Sequence, residues 1–361
     1  MNATLDPVGT KLEREFKHAR PLIGCRFDPA GRFLFASAED NSIQRFDLLT
    51  GSRTSLTGHT SWVRGMTFLM ADAAAAAVRA AASHPQADRA VLGFAAKPAP
   101  KPHPFTLISG DYSGKLIWWD GAADAPKPIR TVHAHAGWVR AVAASPDGTI
   151  LASCGNDNSV KLWTADGKPL RTFEGHASHV YNVAFHPDGT RLASQELMGI
   201  VKEWDTKTGA CRRDIDCKDL HKYDPTFMAH HGGARAMTFN KDGSKLAVAG
   251  ITNVSNAFAG VGNPVVMLFD WKSGQAKQLK PKEGFQGTMW GMAFHPSGYA
   301  IAAAGGSAGR LWFWKKDELV SSHTVNAPAS ARDMALDPLG RRVALAGSNG
   351  SAIVYALKTT A

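Results

Sequence analysis

The chain of 361 residues carries 41 Lys and Arg against 31 Asp and Glu, a formal net charge of +10, and 44% of its residues are hydrophobic. This balance is typical of a globular protein, and a chain of this length buries enough surface to be stable without disulfides or metals. Its four cysteines fit neither a disulfide framework nor a paired Cys-x-x-Cys zinc site. No run of 18 apolar residues and no apolar signal segment occurs, so the sequence indicates a soluble, cytoplasmic protein that does not enter a membrane.

A short turn motif recurs along the chain. In each copy a glycine ends the turn and a proline often takes its second position, and both residues favour the backbone angles of tight turns. Alternating apolar residues precede and follow the motif, so each copy predicts a β-hairpin. The copies are Asp28–Gly31, Ser145–Gly148, His186–Gly189, Asn240–Gly243, His295–Gly298 and Asp337–Gly340.

The residue before each turn sets the period of the repeat. These residues are Phe27, Phe68, Ala144, Phe185, Phe239, Phe294 and Leu336, with Phe68 standing before an insertion instead of a turn. Their successive spacings are 41, 76, 41, 54, 55 and 42. The bare unit is therefore about 41 residues, and the longer spacings mark insertions. Seven units account for the chain as one domain over residues 1–361, with insertions at 70–104, 217–231 and 251–264.

A second hairpin in each unit ends in an aromatic residue that is often followed by Asp. These positions are Phe46–Asp47, Trp119–Asp120, Trp163, Trp204–Asp205, Phe269–Asp270, Trp314 and Tyr355. Gly-His pairs begin two units, at Gly58–His59 and Gly175–His176, and His18, His135 and His230 stand at matching positions. Together these features resemble the WD40-repeat family of β-propellers over nearly the whole chain. The resemblance implies an all-β fold with seven blades of four antiparallel strands.

The resemblance also implies how the ring closes and how single blades are held. The last unit ends at its third strand, so the N-terminal segment KLEREFK (11–17) is expected to supply the fourth strand of blade seven. Family blades are often pinned by a hydrogen-bonded His–Ser/Thr–Asp–Trp tetrad, and unit three matches it with His135, Ser153, Asp157 and Trp163. Units two and four keep the His, Ser and Trp but carry Ser113 and Met198 where the Asp is expected. We interpret the tetrad histidines as structural.

The three insertions allow different interpretations. Residues 70–104, rich in Ala and then in Pro, interrupt blade two and are either a tolerated surface excursion or a docking arm. The 217–231 and 251–264 insertions are expected as neighbouring loops on the top face. Long loops in a compact domain are often functional, so a binding rim is a possible role for them. Its residues would be Asp216, Lys218, Asp219, His221, Lys222, Tyr223 and Asp224.

Catalytic, cofactor-binding and metal-binding residues are not assigned. Residues Gly305–Gly309 match the G-x-S-x-G pattern, but that motif needs a strand–turn–helix context and here lies between two strands. The His133/His135 and His230/His231 pairs lack an accompanying acidic or thiol ligand set. The net charge admits nucleic acid as a partner, but the chain lacks the interleaved basic and aromatic residues of single-strand binders. The sequence therefore disfavours nucleic acid.

The strongest functional signal is a set of basic and aromatic positions at the start of each innermost strand. In the WD40 family these positions face the top of the central channel. The predicted mouth consists of Trp62, Arg64, Trp138, Arg140, His179, Tyr181, Arg235, Trp290 and Arg332. Guanidinium groups match carboxylate or phosphate oxygens, and aromatic rings add stacking surface, although each arginine could instead pair with a nearby Asp or Glu.

Most WD40 proteins are interaction platforms, so we expect a non-catalytic protein–protein interaction scaffold that binds an acidic or extended peptide at this mouth. The alternatives are a receptor for a small carboxylate or phosphate ligand in the channel and a propeller-type hydrolase, because fold alone does not decide function. The sequence names neither the partner nor the oligomeric state.

Overall fold

Antiparallel strands make up more than half of the residues that a computed structural model describes, which are residues 4–70, 103–256 and 261–360. Within these residues the strands form seven four-stranded sheets and one two-stranded sheet. Each four-stranded sheet is one blade. The structure is therefore the seven-bladed all-β propeller that the sequence predicts. In the part of the chain that is described, no helix has the length and apolarity needed to span a membrane.

The first three blades follow one another along the chain. Blade one contains β2 (Leu22–Phe27), β3 (Phe33–Ala38), β4 (Ile43–Asp47) and β5 (Arg53–Leu56). Blade two contains β6 (Val63–Leu69), β7 (Thr106–Asp111), β8 (Lys115–Asp120) and β9 (Pro128–His133). Blade three contains β10 (Val139–Ala144), β11 (Ile150–Gly155), β12 (Val160–Thr164) and β13 (Pro169–Phe173). The 70–104 insertion between β6 and β7 lies almost wholly outside the described residues.

The next blades carry the other two insertions. Blade four contains β14 (Val180–Phe185), β15 (Arg191–Glu196), β16 (Ile200–Asp205) and β17 (Cys211–Asp216). A short 3-10 helix (Lys218–Leu220) and a hairpin of β18 (His221–Asp224) and β19 (Ala229–Gly232) follow it. Blade five contains β20 (Ala236–Phe239), β21 (Lys245–Asn256), β22 (Val261–Asp270) and β23 (Ala276–Leu279). The 217–231 and 251–264 insertions are thus mostly hairpin strands and not irregular loops, with 257–260 outside the description.

The last two blades complete the ring. Blade six contains β24 (Gly287–Phe294), β25 (Ala300–Gly306), β26 (Gly309–Trp314) and β27 (His323–Ala327). Blade seven contains β28 (Ala331–Leu336), β29 (Arg342–Gly347), β30 (Ser351–Thr360) and, as its outer strand, β1 (Thr4–Lys17).

The amino-terminal strand joins the two ends of the chain. In β1, Glu15 lies opposite Ile353 of β30, and Phe16 lies opposite Ala352. The ring of Phe16 also stacks on Phe46 of blade one, with 4.7 Å between ring centroids. The strand begins at Thr4, seven residues before the segment that the sequence suggests for this position.

Seven clusters of buried apolar side chains lie in the described residues, and each is shared by two neighbouring blades. One of them joins blade seven to blade one, where Ala344 and Val354 pack with Leu22 and Phe46. Burial of apolar surface is the dominant favourable contribution to folding, at roughly 25 cal/mol per Å². Each blade therefore depends on its two neighbours for stability.

The first residue of several of the recurring turns fixes its hairpin through a side-chain acceptor. The backbone amide five residues later donates to this side chain in three blades: Phe33 to Asp28 (2.5 Å), Ile150 to Ser145 (3.0 Å) and Lys245 to Asn240 (2.9 Å). Asp, Ser and Asn all carry an oxygen at the reach that this turn requires.

Blade six keeps the register of the other blades with a turn that is one residue shorter, since the amide of His295 donates to Tyr299 whereas that of Ser145 donates to Ile150. Ala300 pairs with Phe294 and Trp314, as Leu151 pairs with Ala144 and Trp163 in blade three, so Trp314 takes the tetrad aromatic position as the sequence predicts. Trp314 packs toward blade five, where its indole nitrogen donates to the carbonyl oxygen of Lys280 (3.0 Å).

Candidate functional site

The predicted mouth residues share one local backbone feature. In six blades the register of the innermost strand skips one residue, and the skipped residue is the predicted channel-facing position. These bulged residues are Ile23, Arg64, Arg140, Tyr181, Trp290 and Arg332. In blade five, Arg235 directly precedes β20, and its amide donates to the carbonyl oxygen of Ala249 (2.7 Å). A bulge leaves its extra residue unpaired and redirects the side chain, which explains why these six positions are set apart from the sheets.

Three arginines of the mouth lie against aromatic rings. The guanidinium of Arg140 is 4.3 Å from the ring centre of Tyr181 and 4.4 Å from that of Trp138. Arg235 lies between Tyr181 (5.4 Å) and Trp290 (5.2 Å). Arg64 is 5.4 Å from the same Trp290 ring. Each contact is close enough for a cation–π attraction, so the arginines and aromatics alternate around this part of the mouth.

Four further contacts extend this arrangement across the boundary between blades seven and one. One nitrogen of Arg64 donates to the carbonyl oxygens of Ile23 (2.6 Å) and Arg332 (3.1 Å). Arg332 in turn forms an ion pair with the carboxylate of Glu39. The carbonyl oxygen of Glu39 accepts a hydrogen bond from the indole nitrogen of Trp62 (3.0 Å). A carboxylate thus stands in the mouth on the blade-one side.

The aromatic side of the mouth lies over blades two and three. Tyr112 and Trp138 stack with 4.0 Å between ring centres and an angle of 5°, and Trp62 lies 6.3 Å from Tyr112. Trp62 and Trp138 are 42% and 40% exposed, which is unusual for rings of this size. With these rings the contacts form a closed circuit, which runs from Glu39 through Arg332, Arg64, Trp290, Arg235, Tyr181, Arg140, Trp138 and Tyr112 to Trp62.

The mouth carries uncompensated positive charge. Within the described residues, Arg64, Arg140 and Arg235 have no carboxylate partner, and Arg140 instead donates to the amide oxygen of Asn156 (2.7 Å). Burial lowers the pKa of Arg235, and the charges of Arg64 and Arg140 act in the same direction. The Nε of Arg235 is buried without a hydrogen-bond partner. Arginine stays protonated under all ordinary conditions, so these cations repel one another.

Asp333, the next carboxylate along the chain, does not neutralise the mouth. It is buried, and it accepts hydrogen bonds from the backbone amide of Cys25 (3.0 Å) and from the guanidinium of Arg26 (2.7 Å). The local-pairing alternative therefore holds for Arg332 alone among the four mouth arginines.

Sequence reasoning missed three mouth residues: Glu39, Tyr112 and Asn156. All three directly follow the second strand of a blade, and their backbone amides donate to the residue before the innermost strand. In blade four the same position is Leu197, whose amide donates to the carbonyl oxygen of His179 (2.9 Å). The signal was therefore present in the repeat alignment, one residue after the second strand. His179 itself contacts Asn158 (3.2 Å) and stands apart from the arginine circuit.

The blade-three tetrad has the geometry that the resemblance implies. The ring nitrogens of His135 lie 2.8 Å from Asp157 and 2.7 Å from Ser153, and Trp163 donates to the same hydroxyl (2.9 Å). Burial lowers the pKa of His135. The pKa of Asp157 is also well below its usual range: burial alone would raise it, but the hydrogen bonds and charges of His135, Ser159 and Lys161 together outweigh that effect. These groups are engaged with one another and are not available for a ligand.

Blades two and four have complete tetrads with a carboxylate from a different position. His59 contacts Asp111 (2.8 Å), and His176 contacts Glu196 (3.3 Å). Both acids are the last residue of the second strand, two positions before Ser113 and Met198. Blade three has Gly155 there, and a Cβ atom on it would lie 2.9 Å from the His135 ring. The acid therefore comes from one of two nearby positions, which simple spacing did not distinguish.

The hairpin of β18 and β19 stands beside the mouth. A Cβ atom on Gly233, just after β19, would lie 3.6 Å from the ring of Tyr181. Lys222 in β18 donates to the carbonyl oxygen of Val254 in β21 (2.7 Å), so the two insertions meet. Phe227 and Met228 at the hairpin tip are 61% and 81% exposed. Among the described residues, no cluster of three or more His, Cys, Asp or Glu is placed to hold a metal ion.

Comparison with known families gives a match to two stretches of the sequence, within blades two to four. The family described as "WD domain, G-beta repeat" matches residues 126–164 and 167–196. These stretches begin at the outer strand of blade two and end at the second strand of blade four. They contain the blade-three tetrad, which is the part of the chain with the most regular repeat.

The chain is also similar to parts of several larger proteins. A stretch of 158 residues, 42% of the chain, is 29% identical to nuclear distribution protein PAC1 of Arthroderma otae and covers 29% of it. A stretch of 63 residues, 17% of the chain, is 43% identical to ribosome assembly protein 4 of Chaetomium thermophilum and covers 12% of it. Another 67 residues, 18% of the chain, are 36% identical to DDB1- and CUL4-associated factor 13 of Dictyostelium discoideum and cover 15% of it. The matches thus span less than a third of each relative.

Proposed function

Since this chain belongs to the WD40-repeat β-propellers, we propose that it is a non-catalytic, cytoplasmic scaffold whose top-face mouth binds an acidic or extended peptide segment of a partner protein. The observation that carries the proposal is the set of three guanidinium groups, on Arg64, Arg140 and Arg235, that lie together without a carboxylate partner in the described chain. A bound anion would reduce the electrostatic repulsion between these three positive charges.

The chemistry of the mouth favours a peptide over a lone anion. Guanidinium donors match carboxylates, while the exposed rings of Trp62 and Trp138 offer apolar surface that a small anion would not cover. The names of two relatives, a ribosome assembly protein and a DDB1- and CUL4-associated factor, describe work in protein assemblies, which agrees with a scaffold.

The test removes two of the arginines. The Arg64→Ala/Arg140→Ala variant is compared with an Arg53→Ala/Arg130→Ala control, in which both arginines are exposed on the outer strands β5 and β9. Partners captured by the full chain from a native extract are compared at two salt concentrations, and affinity for a labelled decaglutamate peptide is measured by fluorescence anisotropy. Each charged hydrogen bond contributes about 1.5–3 kcal/mol.

We expect the mouth variant to lose at least tenfold in affinity for decaglutamate, and binding to the unaltered chain to weaken as salt rises. The control should bind normally. Unchanged affinity and salt dependence in the mouth variant would place recognition elsewhere, with the 217–231 and 251–264 segments as the next candidates. Tight binding of phosphate or citrate with no binding of decaglutamate would favour the small-anion receptor instead.

A further inference from the structure

Trp138 presents an open ring face within the mouth. Tyr112 lies parallel to this indole with 4.0 Å between ring centres, so it occupies one face. The guanidinium of Arg140 is 4.4 Å from the centre of Trp138 and 5.7 Å from that of Tyr112. These three distances form a nearly right-angled triangle, which places Arg140 beside the stack and not on the second face of Trp138. An open second face accounts for the exposure of this ring, which is 40%.

The second face of Trp138 is turned toward blade four. Tyr112 follows the second strand of blade two, so it approaches Trp138 from the blade-two side and leaves the opposite face toward the next blade. Arg140 continues in that direction, because its guanidinium is 4.3 Å from the ring centre of Tyr181 in blade four. We call the place formed by the second face of Trp138 with Arg140 and Tyr181 the Trp138 subsite.

Arg140 still has hydrogen-bond donors to offer in this subsite. Its Nε donates to the side-chain oxygen of Asn156 (2.7 Å), whereas its two terminal nitrogens donate to no oxygen among the described residues. The acid next to Asn156 in the sequence is Asp157, which is paired with His135 (2.8 Å) and Lys161 (3.3 Å). The terminal nitrogens of a guanidinium fit the two oxygens of a carboxylate, so the subsite can bind an acidic group.

A cation at the edge of an open indole face favours one kind of ligand residue. An aromatic ring laid on Trp138 stacks in the offset arrangement that such rings prefer, and it also lies near enough to Arg140 for a cation–π attraction. An aliphatic side chain gains neither interaction. A cationic side chain also binds aromatic faces, but here Arg140 repels it, as does Arg235, which is 5.4 Å from the Tyr181 ring.

We propose that the Trp138 subsite binds an aromatic side chain of the partner peptide that has Asp or Glu within two residues of it. The aromatic ring stacks on Trp138, and the carboxylate accepts from the terminal nitrogens of Arg140. In an extended segment, residues two apart project from the same side about 7 Å from each other, which suits a ring and a carboxylate on these two neighbours. This inference rests on the function proposed for the mouth and adds which residue of the acidic segment the mouth selects.

The test compares acidic peptides that differ in one residue. Three fluorescein-labelled nonapeptides carry eight glutamates with Phe, Leu or Ala at the centre, so their side-chain charges are equal. Fluorescence anisotropy measures their affinities for the full chain and for Trp138→Leu, which removes the ring but keeps apolar volume beside Tyr112. Trp138→Phe restores a ring, and Tyr223→Ala is the control, because that ring is 47% exposed on β18. The Arg64→Ala/Arg140→Ala variant reports on charge recognition, and thermal unfolding verifies that each variant folds.

On the unaltered chain we expect the Phe peptide to bind at least fivefold more tightly than the Ala peptide, with the Leu peptide close to the Ala peptide. Trp138→Leu should remove this preference while it still binds the Ala peptide. Trp138→Phe should keep most of the preference, and Tyr223→Ala should keep all of it. The Arg64→Ala/Arg140→Ala variant should lose affinity for all three peptides.

The outcomes separate this inference from the function on which it rests. Equal affinities for the Phe and Ala peptides would overturn the aromatic subsite and leave the acidic-peptide function intact. A Leu peptide that binds as tightly as the Phe peptide, or a preference for Phe that survives Trp138→Leu, would do the same. If none of the three peptides binds the unaltered chain, the function proposed for the mouth is wrong, and the subsite is wrong with it.

Discussion

Arg332 donates to the carboxylate of Glu39 across the seam where blade seven meets blade one. Glu39 is thus a carboxylate of the chain itself that binds one arginine of the mouth. We propose that a carboxylate of the ligand binds the other three mouth arginines in the same way. Its contact is also evidence that the mouth geometry accepts a carboxylate.

Replacing Glu39 should strengthen ligand binding. In Glu39→Gln the Arg332 guanidinium loses its charged partner, and we expect a three- to tenfold higher affinity for decaglutamate, roughly the value of one weak charged hydrogen bond. The matched control is Glu13→Gln, which breaks the pair with Arg342 (2.8 Å) on the outer edge of blade seven. A Glu39→Gln affinity equal to that of the control would show that Arg332 takes no part in binding.

Removing the first strand should destabilise the whole ring. A chain lacking residues 1–17 loses the pairing of β1 with β30 and the stacking of Phe16 on Phe46, so blade seven is left with three strands. We expect a fall of more than 10 °C in melting temperature by calorimetry, since about 1 kcal/mol already moves the midpoint of a domain this large by roughly 2–4 °C. A deletion of residues 1–3 is the control. Equal melting temperatures for the two deletions would contradict closure by β1.

Asp28 should make the folded state less stable as pH rises, which is opposite to the usual effect of a carboxyl group. Burial raises the pKa of its carboxyl group to about 6, although the amides of Phe33 and Ala30 donate to it. The folded state therefore favours the neutral acid. This contribution is fully present below the unfolded pKa of about 3.9 and is lost as pH rises through 6.

The substitution Asp28→Asn removes this titration, and Asn240 shows that an amide oxygen caps the same turn. Relative to the natural chain, the variant should gain up to about 3 kcal/mol between pH 4 and pH 8, as measured by urea unfolding across that range. Asp147 is the comparison, because hydrogen bonds from Ser145 and Thr149 lower its pKa and its loss should cost stability above about pH 4. A difference between Asp28→Asn and the natural chain that does not change with pH would contradict this account.

The acid of the blade-four tetrad should be Glu196 and not a group at position 198. Glu196 accepts from the amides of Ala177 (2.8 Å) and Ser178 (3.0 Å) as well as contacting His176. We expect Glu196→Gln to lower the free energy of unfolding at pH 7 by about 1–3 kcal/mol. Met198→Ala should cost less, because Met198 makes none of these hydrogen bonds. The reverse order in urea unfolding would return the tetrad acid to the position that spacing suggests.

The repeat could be predicted because it depends on local chemistry that sequence displays directly. Turn glycines, alternating apolar residues and the 41-residue period determine the blades, and the channel-facing positions follow from their place before each inner strand. The acids Asp111 and Glu196 were missed, since a shift of two residues leaves the residue types of the pattern nearly unchanged. Glu39 and Tyr112 were missed because they follow the second strand of their blades, and only the folded ring brings those positions beside the inner strands.

The pairing of β1 with β30 has a consequence for how the protein is made. Translation releases β1 before the strands of the seven blades, yet its partner β30 follows only after the other strands, so the nascent chain carries an unpaired strand edge until β30 emerges. Unpaired edges are the usual starting point for association between chains. On a crowded polysome, the β1 of one chain therefore competes for the β30 of its neighbour, and a chaperone that shields the amino-terminal segment would raise the yield of closed monomers.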